Sequence, residues 1–128
     1  MATRTAFDIL TDAAHLIERN GWAQGKAVQA GPAAADCPTC ANLALGDAAR
    51  FRSEVLGANY HAYLEAQVAL LKYLKIGIAP ALLNQTTKGS LIVDWNDAPE
   101  RTAAEVVAAL RGAAYALVGD GLVEASLA

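Results

Sequence analysis

The segment "DWNDAPERTAAEVVAAL", residues 94–110, decides the fold of this chain, because a polar turn leads directly into an apolar helical repeat. Thr102 stands three residues before Glu105 at the start of the repeat, which is the sequence form of a capping box. Apolar residues then recur every three or four positions, the spacing of one helix face. The segment predicts a helix that begins at Thr102 and ends near Val118.

The turn before this helix has two interpretations. In the structural one, Asn96 and Asp97 bond to nearby backbone groups, and Trp95 anchors the turn on the core. In the functional one, Asp94 and Asp97 form a carboxylate pair for acid–base chemistry, and Arg101 binds an anion. No sequence spacing fixes two loop carboxylates at a catalytic distance, so the structural interpretation is favoured.

Periodic apolar residues predict three further helices. The first lies in "TAFDILTDAAHLIERNG" (5–21), where Asn20 and Gly21 form a typical helix end. The second runs from about Pro38 through "TCANLALGDAARF", and the third, the longest, is capped by Asn59 and ended by Gly77.

The rest of the chain predicts turns, short extended pieces and a tail. "APALLNQ" predicts a short helical turn, "TTKGS" (86–90) a turn, and "LIVDW" (91–95) a brief strand that could pair with residues 27–29. Apolar residues in 119–128 need a groove on this chain or on a neighbour. We predict a mainly α protein: one domain over 1–128, built as a small bundle of about four helices with at most a minor two-stranded β element.

The composition favours a compact protein without a bulk attraction for nucleic acid. Of the 128 residues, 55% are apolar and 18% are charged. Thirteen acidic against ten basic residues give a net charge of −3, so no positive field attracts phosphates. Acidic residues interrupt the N-terminal apolar residues, and no stretch reaches the roughly 18 uncharged apolar residues of a membrane span. We expect a cytoplasmic protein with reduced thiols and with no nucleic-acid or membrane partner.

Two cysteines and two histidines raise a zinc hypothesis. "DCPTC" places Cys37 and Cys40 in a C-x-x-C spacing, but no strand precedes them as in a redox site. Only His15 and His61, from separate predicted helices, could complete a zinc site. A small buried Cys40 and a partly exposed Cys37 at a helix start are favoured over zinc.

Recognisable catalytic motifs are missing from the sequence. It contains no G-x-S-x-G, H-E-x-x-H, G-x-G-x-x-G or Walker pattern, so no nucleophile, metalloprotease or nucleotide site is indicated. We expect no cofactor, and an enzyme is the less favoured class.

Two blocks of the sequence resemble a known family. "AAHLIERNGWAQG" (13–25) and "VDWNDAPERTAAEVVAALRGAA" (93–114) are similar to the signature blocks of an uncharacterised family of small proteins from actinobacteria and their phages, classed as a domain of unknown function. Its G-W-x-Q-G turn and W-N-D-x-x-x-R-T segment match here at Gly21, Trp22, Gln24, Gly25, Trp95, Asn96, Asp97, Arg101 and Thr102. The resemblance implies that Trp22 and Trp95 lie close together. It supplies no reaction.

Three functional hypotheses follow. The leading one is a cytoplasmic protein–protein interaction or regulatory module of actinobacterial or actinophage origin, acting through an apolar surface on an unknown protein partner or as a homodimer. The alternative is a small-ligand binder or enzyme, with a polar site built from Gln24, Asn96, Asp97 and Arg101 beside Trp22 and Trp95. The third is a zinc-stabilised module.

Overall fold

The fold consists of packed α-helices. A computed structural model describes residues 4–25, 39–49, 59–77 and 79–119. The helices in these ranges are α1 (Ala6–Asn20), α2 (Ala41–Ala48), α3 (Tyr60–Leu74), α4 (Gln85–Asn96) and α5 (Ala103–Gly119), with a 3-10 turn at Pro80–Leu82. The mainly helical class is confirmed, whereas the count of four helices is wrong because five are present in the described part. None of these helices is long and apolar enough to cross a membrane.

Helix α1 lies at the centre of the core and packs against α2, α3 and α5. Its buried face follows the helical repeat: Ala6, Ile9, Leu10, Ala13, Ala14 and Ile17. Leucines from the other helices meet this face, and burying each leucine or isoleucine contributes about 1.5–3 kcal/mol. Thr5 and Asp8 form the capping box that begins the helix, since Thr5 Oγ1 accepts from Asp8 N (3.1 Å) and Asp8 Oδ2 accepts from Thr5 N (3.1 Å).

Helix α4 is the largest difference between prediction and structure. Residues 86–90, predicted as a turn, and residues 91–95, predicted as a strand, both lie inside this helix. Its buried positions follow helical spacing: Lys88, Gly89, Ile92 and Asn96. Because only one of these is a large apolar residue, the helix has no hydrophobic stripe for a sequence pattern to reveal.

Capping and close packing stabilise α4 in place of a hydrophobic stripe. Asn84 Oδ1 accepts a hydrogen bond from Thr87 N (2.8 Å) and caps the first turn. At Gly89, an added Cβ would lie 3.0 Å from Asn42 Nδ2 and 3.6 Å from Gln67 Nε2. The missing side chain therefore lets α4 pack tightly against polar groups of α2 and α3.

The starts of α2 and α3 also differ from prediction. Cys40 caps α2, its Sγ accepting from Leu43 N (3.5 Å), while Cys37 lies outside the described residues. Asn59 precedes α3 without capping it. Its Oδ1 instead accepts from Arg4 N (2.8 Å) and its Nδ2 donates to Ala49 O (3.2 Å), so that three segments are joined.

The predicted two-stranded β element is not matched, since one of its two segments is part of α4. In the described part of the chain, Trp22 and Thr39 form an isolated parallel bridge. Residues 27–29 and 120–128, including nearly all of the predicted tail, lie outside the described residues.

Candidate functional site

Asn96, the last residue of α4, is fully buried and ties three chain segments together. Its Oδ1 accepts hydrogen bonds from Trp22 Nε1 (2.8 Å) and from Ala41 N (3.0 Å). Its Nδ2 donates to Ala23 O (3.1 Å) and to Asp97 Oδ1 (3.0 Å). A side-chain amide has two N–H donors and two acceptor lone pairs. Asn96 uses all four within the protein.

Gln24 and Asp97 extend this arrangement through backbone contacts. Gln24 Nε2 donates to Asn96 O (3.0 Å) and to Ala98 O (2.9 Å). Asp97 Oδ1 also accepts from Gly25 N (3.1 Å). We call Trp22, Gln24, Asn96 and Asp97 the Asn96 cluster. It joins the turn after α1 to the turn after α4, across more than 70 residues of sequence.

Arg101 and Trp95 pack beside this cluster. The guanidinium of Arg101 lies 4.4 Å from the centroid of the Trp95 ring, a cation–π contact. Its Nε donates to Trp95 O (3.0 Å), and Nη1 donates to Glu105 Oε2 at 3.4 Å. Thr102 and Glu105 form the predicted capping box, with Thr102 N bonded to Glu105 Oε1 (3.0 Å) and Glu105 N to Thr102 Oγ1 (3.2 Å).

All six predicted polar and aromatic site residues thus lie in or beside one pair of turns. Their bonds run to backbone groups and to one another, and the Arg101 guanidinium is occupied by Trp95 and Glu105. Asp94, the other carboxylate of the hypothetical acid–base pair, is exposed on α4. The arrangement closes a turn onto a helix end through hydrogen bonds made within the protein.

Of the four residues of the zinc hypothesis, His15, Cys40 and His61 lie on different described elements, and Cys37 lies outside the described residues. His15 is exposed on α1 beside the ion pair of Glu18 and Arg111, whereas Cys40 is buried at the start of α2. Burial raises the pKa of the Cys40 thiol. His61 is exposed on α3. Among the described residues, no three His, Cys, Asp or Glu side chains group as metal ligands; Cys37 is not among them.

A separate open groove of about 1040 Å³ lies along one face of the fold. Its walls come from the start of α1, from α3, from the 3-10 turn and α4, and from the second half of α5. The apolar lining includes Leu64, Val68, Ala69, Leu83, Ala113 and Leu117. None of the six predicted site residues lines this groove.

Charged residues in the lining are mostly cationic. Arg4, Lys72 and Lys88 oppose one carboxylate, Glu65, so the fixed side-chain charge is three positive minus one negative, a net of two positive. The chain as a whole carries −3. Arg4 forms an ion pair with Asp12, and its Nε is buried without a hydrogen-bond partner.

Lys88 is the buried cation of this groove. Its residue surface is 4% exposed, and its Nζ donates to Leu83 O (2.9 Å). No carboxylate of the described residues lies within 4.0 Å of the Nζ atom. Desolvation lowers the pKa of this ammonium. Sequence reasoning missed the residue because "TTKGS" is typical of a solvated turn.

These features define a class: a small helical protein with a hydrogen-bonded turn cluster and, apart from it, an open apolar groove. The chain belongs to the DUF6197 family, described as a family of unknown function, which matches residues 1–116. No curated protein and no solved structure matches the chain. The resemblance to a family of unknown function is therefore confirmed, and no comparison indicates a catalytic role. The actinobacterial or phage origin and the signature segments stay predictions.

Proposed function

We propose that this protein is a binding module whose site is the groove between α1, α3, α4 and α5. The observation that carries the proposal is the groove itself: about 1040 Å³ with a mainly aliphatic lining and a few charged groups. Sites for small molecules are clefts of roughly 300–1,000 Å³, lined by apolar side chains with a small number of polar ones. The groove is at the upper end of this range, so a sizeable apolar or amphipathic ligand fits the proposal.

For the Asn96 cluster, together with Trp95 and Arg101, we propose a structural role. The proposal is supported by the bonds that these side chains make to the protein, above all the four bonds of Asn96. A ligand that used these groups would have to displace buried hydrogen bonds. Such a displacement leaves polar groups unpartnered, at about 1–3 kcal/mol each.

Filling the groove tests the proposed function. Ala116 lines it from α5, whereas Ala108 is exposed on the same helix and is not part of the lining. The probe is Nile red, a neutral apolar dye whose fluorescence emission rises in apolar surroundings. We expect the wild type and Ala108→Trp to increase this emission. Ala116→Trp should not increase it. Equal enhancement in all three proteins, or none in the wild type, would sink the proposal. Circular dichroism confirms that each variant is folded.

A second candidate, the interaction module that can form a homodimer, is favoured by exposed apolar side chains. Leu82 is 86% exposed and Tyr115 is 66% exposed. Exposed apolar side chains mark a protein contact when they lie in one patch, and the dimer experiment tests whether these two act together. Sedimentation velocity over a range of concentrations tests this candidate: it requires a dimer that the double variant L82S/Y115S dissociates. A wild type that stays monomeric throughout removes the homodimer.

The biological setting is also a proposal. An actinobacterial or actinophage origin rests on the resemblance of the two turn segments, and a cytoplasmic location rests on composition. Neither affects the chemistry of the groove, which the binding experiments test directly.

A further inference from the structure

We infer that the ligand of the groove is an amphipathic anion, an aliphatic chain whose single carboxylate or phosphate head group is held by the Lys88 ammonium. This inference rests on the proposed function and specifies the ligand of the same site. It starts from the position of Lys88. Both Lys88 and Leu83, whose carbonyl accepts its one hydrogen bond, line the groove.

The first argument is the incomplete pairing of a buried charge. An ammonium has three N–H donors, and the Leu83 carbonyl takes one of them. Buried charges in proteins are normally paired, because desolvation of an isolated ion is costly. The Lys88 residue is 4% exposed, its partly buried ammonium lines the groove, and it has no carboxylate partner in the described part of the fold. An anionic head group would supply both the missing charge and acceptors for the remaining donors.

The second argument is the charge of the lining. The charged side chains of the lining sum to two positive charges, or to one after the pairing of Arg4 with Asp12, on a chain whose formal charge is −3. The local charge is therefore opposite in sign to the total. Electrostatic complementarity of this kind selects for an anion and against a cation. Among the three cations of the described lining, Arg4 is already paired with Asp12 and Lys72 is exposed to solvent, so Lys88 is the buried cation left to bind a head group.

The third argument is the apolar lining, which excludes a small hydrophilic anion such as free phosphate as the main ligand. Leucine, valine and alanine side chains offer dispersion contacts and no hydrogen bonds. A ligand must bury hydrocarbon against them to displace the water in the groove. An unbranched alkyl chain with one charged end satisfies both the aliphatic walls and the Lys88 ammonium.

Calorimetric titration of the full chain with four ten-carbon probes tests this inference. Decanoate carries the proposed negative charge on a carboxylate, and decyl phosphate carries it on a phosphate. Decanol is neutral, and decyltrimethylammonium is cationic. We expect both anions, or one of them, to bind more tightly than decanol, and the cation to bind least. The better anion identifies the head group.

Two lysine variants separate the head group from the groove. Lys88→Met keeps the length of the side chain and removes its charge, and we expect it to weaken binding of the anion by about tenfold or more. The matched control, Lys72→Met, removes the exposed lysine of the same lining and should change affinity by less than about threefold. Decanol binding should be the same for both variants.

The possible failures are distinguishable. One failure concerns the head group alone. If Ala116→Trp abolishes the binding of decanol, but Lys88→Met leaves the affinities for decanoate and decyl phosphate unchanged, the inference is wrong and the proposed function stands. If no probe binds, both are wrong. A concentration-dependent dimer that Ala116→Trp dissociates would place a second copy in the groove and would also overturn the inference.

Discussion

At the scale of single residues, Asn96 has a larger structural role than its place in a polar turn suggests. Residues such as Asn and Asp are expected in turns because their side chains bond to nearby backbone groups. Asn96 instead bonds to Trp22, Ala23 and Ala41, which are far away in sequence. Residue type therefore predicted the turn that follows α4, although Asn96 itself ends that helix. Its long-range partners depend on packing and could not be predicted from local spacing.

Removing the Asn96 amide should destabilise the whole fold. Asn96→Ala leaves the Trp22 indole N–H, the Ala41 N–H and the Ala23 carbonyl without their partner, and buried unsatisfied groups cost about 1–3 kcal/mol each. We expect the free energy of unfolding, measured by urea denaturation, to fall by about 3 kcal/mol or more.

The control for this prediction is on the same helix. Ser90 is exposed on α4, and Ser90→Ala should change stability by no more than about 0.5 kcal/mol. If Asn96→Ala lowers the free energy of unfolding as little as the control does, the Asn96 cluster does not stabilise the fold. Its side chains would then be candidates for ligand binding again.

At the scale of secondary-structure elements, helices were predictable where their signals are local and periodic. The capping box of Thr102 with Glu105 was predicted from its three-residue spacing and is confirmed, and Thr5 with Asp8 have the same spacing and form the same pair of bonds. Helices α1 and α5 also carry apolar repeats. Helix α4 lacks this repeat because Lys88, Gly89 and Asn96 occupy its buried face. Contacts with α2 and α3 override its weak local preference, which sequence periodicity cannot reveal.

Helix α4 should accordingly depend strongly on its cap. Asn84→Ala removes the acceptor for the Thr87 N–H, and we expect a loss of about 1 kcal/mol in the free energy of unfolding, within the usual 0.5–2 kcal/mol range. Thr86→Ala, at an exposed position of the same first turn, is the control and should be nearly neutral. Equal urea midpoints for the two variants would contradict the assigned cap.

The pairing of α1 with α5 should depend on pH through Glu18. Arg111 Nη2 and Nη1 donate to its carboxylate at 2.5 and 2.9 Å, and these bonds lower the pKa of Glu18 below its ordinary value of 4.5. A carboxylate with a lowered folded-state pKa stabilises the fold above its unfolded pKa. That contribution is lost as pH falls through the folded-state value.

Urea midpoints of the wild type and Glu18→Gln test this sign. We expect the wild type to be more stable at neutral pH and the difference to disappear at a pH below the lowered pKa, with a small effect because the pair is exposed. In an Arg111→Gln background the pH-dependent effect of the Glu18 substitution should be smaller, because the neighbouring His15 is then the remaining group that lowers the Glu18 pKa. A difference that stays constant from neutral to acid pH would refute the assignment to this ion pair.

At the scale of the whole molecule, the Asn96 cluster and the groove are built from different side chains. The residues of the Asn96 cluster could be chosen as site candidates from the sequence, because polar and aromatic residues in turns are unusual. It had no means to find the groove, whose walls are ordinary alanines, leucines and valines brought together by folding. The groove also depends on Lys88, whose burial follows from the unexpected helix α4.

Amide chemical-shift mapping by NMR, with decanoate titrated into the 128-residue chain, tests the central claim most directly: the binding surface is the groove and the Asn96 cluster is structural. The account predicts that the largest shifts fall on residues 61–73, on Leu83 and Lys88, and on residues 113–117, which line the groove or lie among its walls. Residues 22–25 and 95–101 should change little. Shifts concentrated in those two turns, with the groove unaffected, would contradict the account.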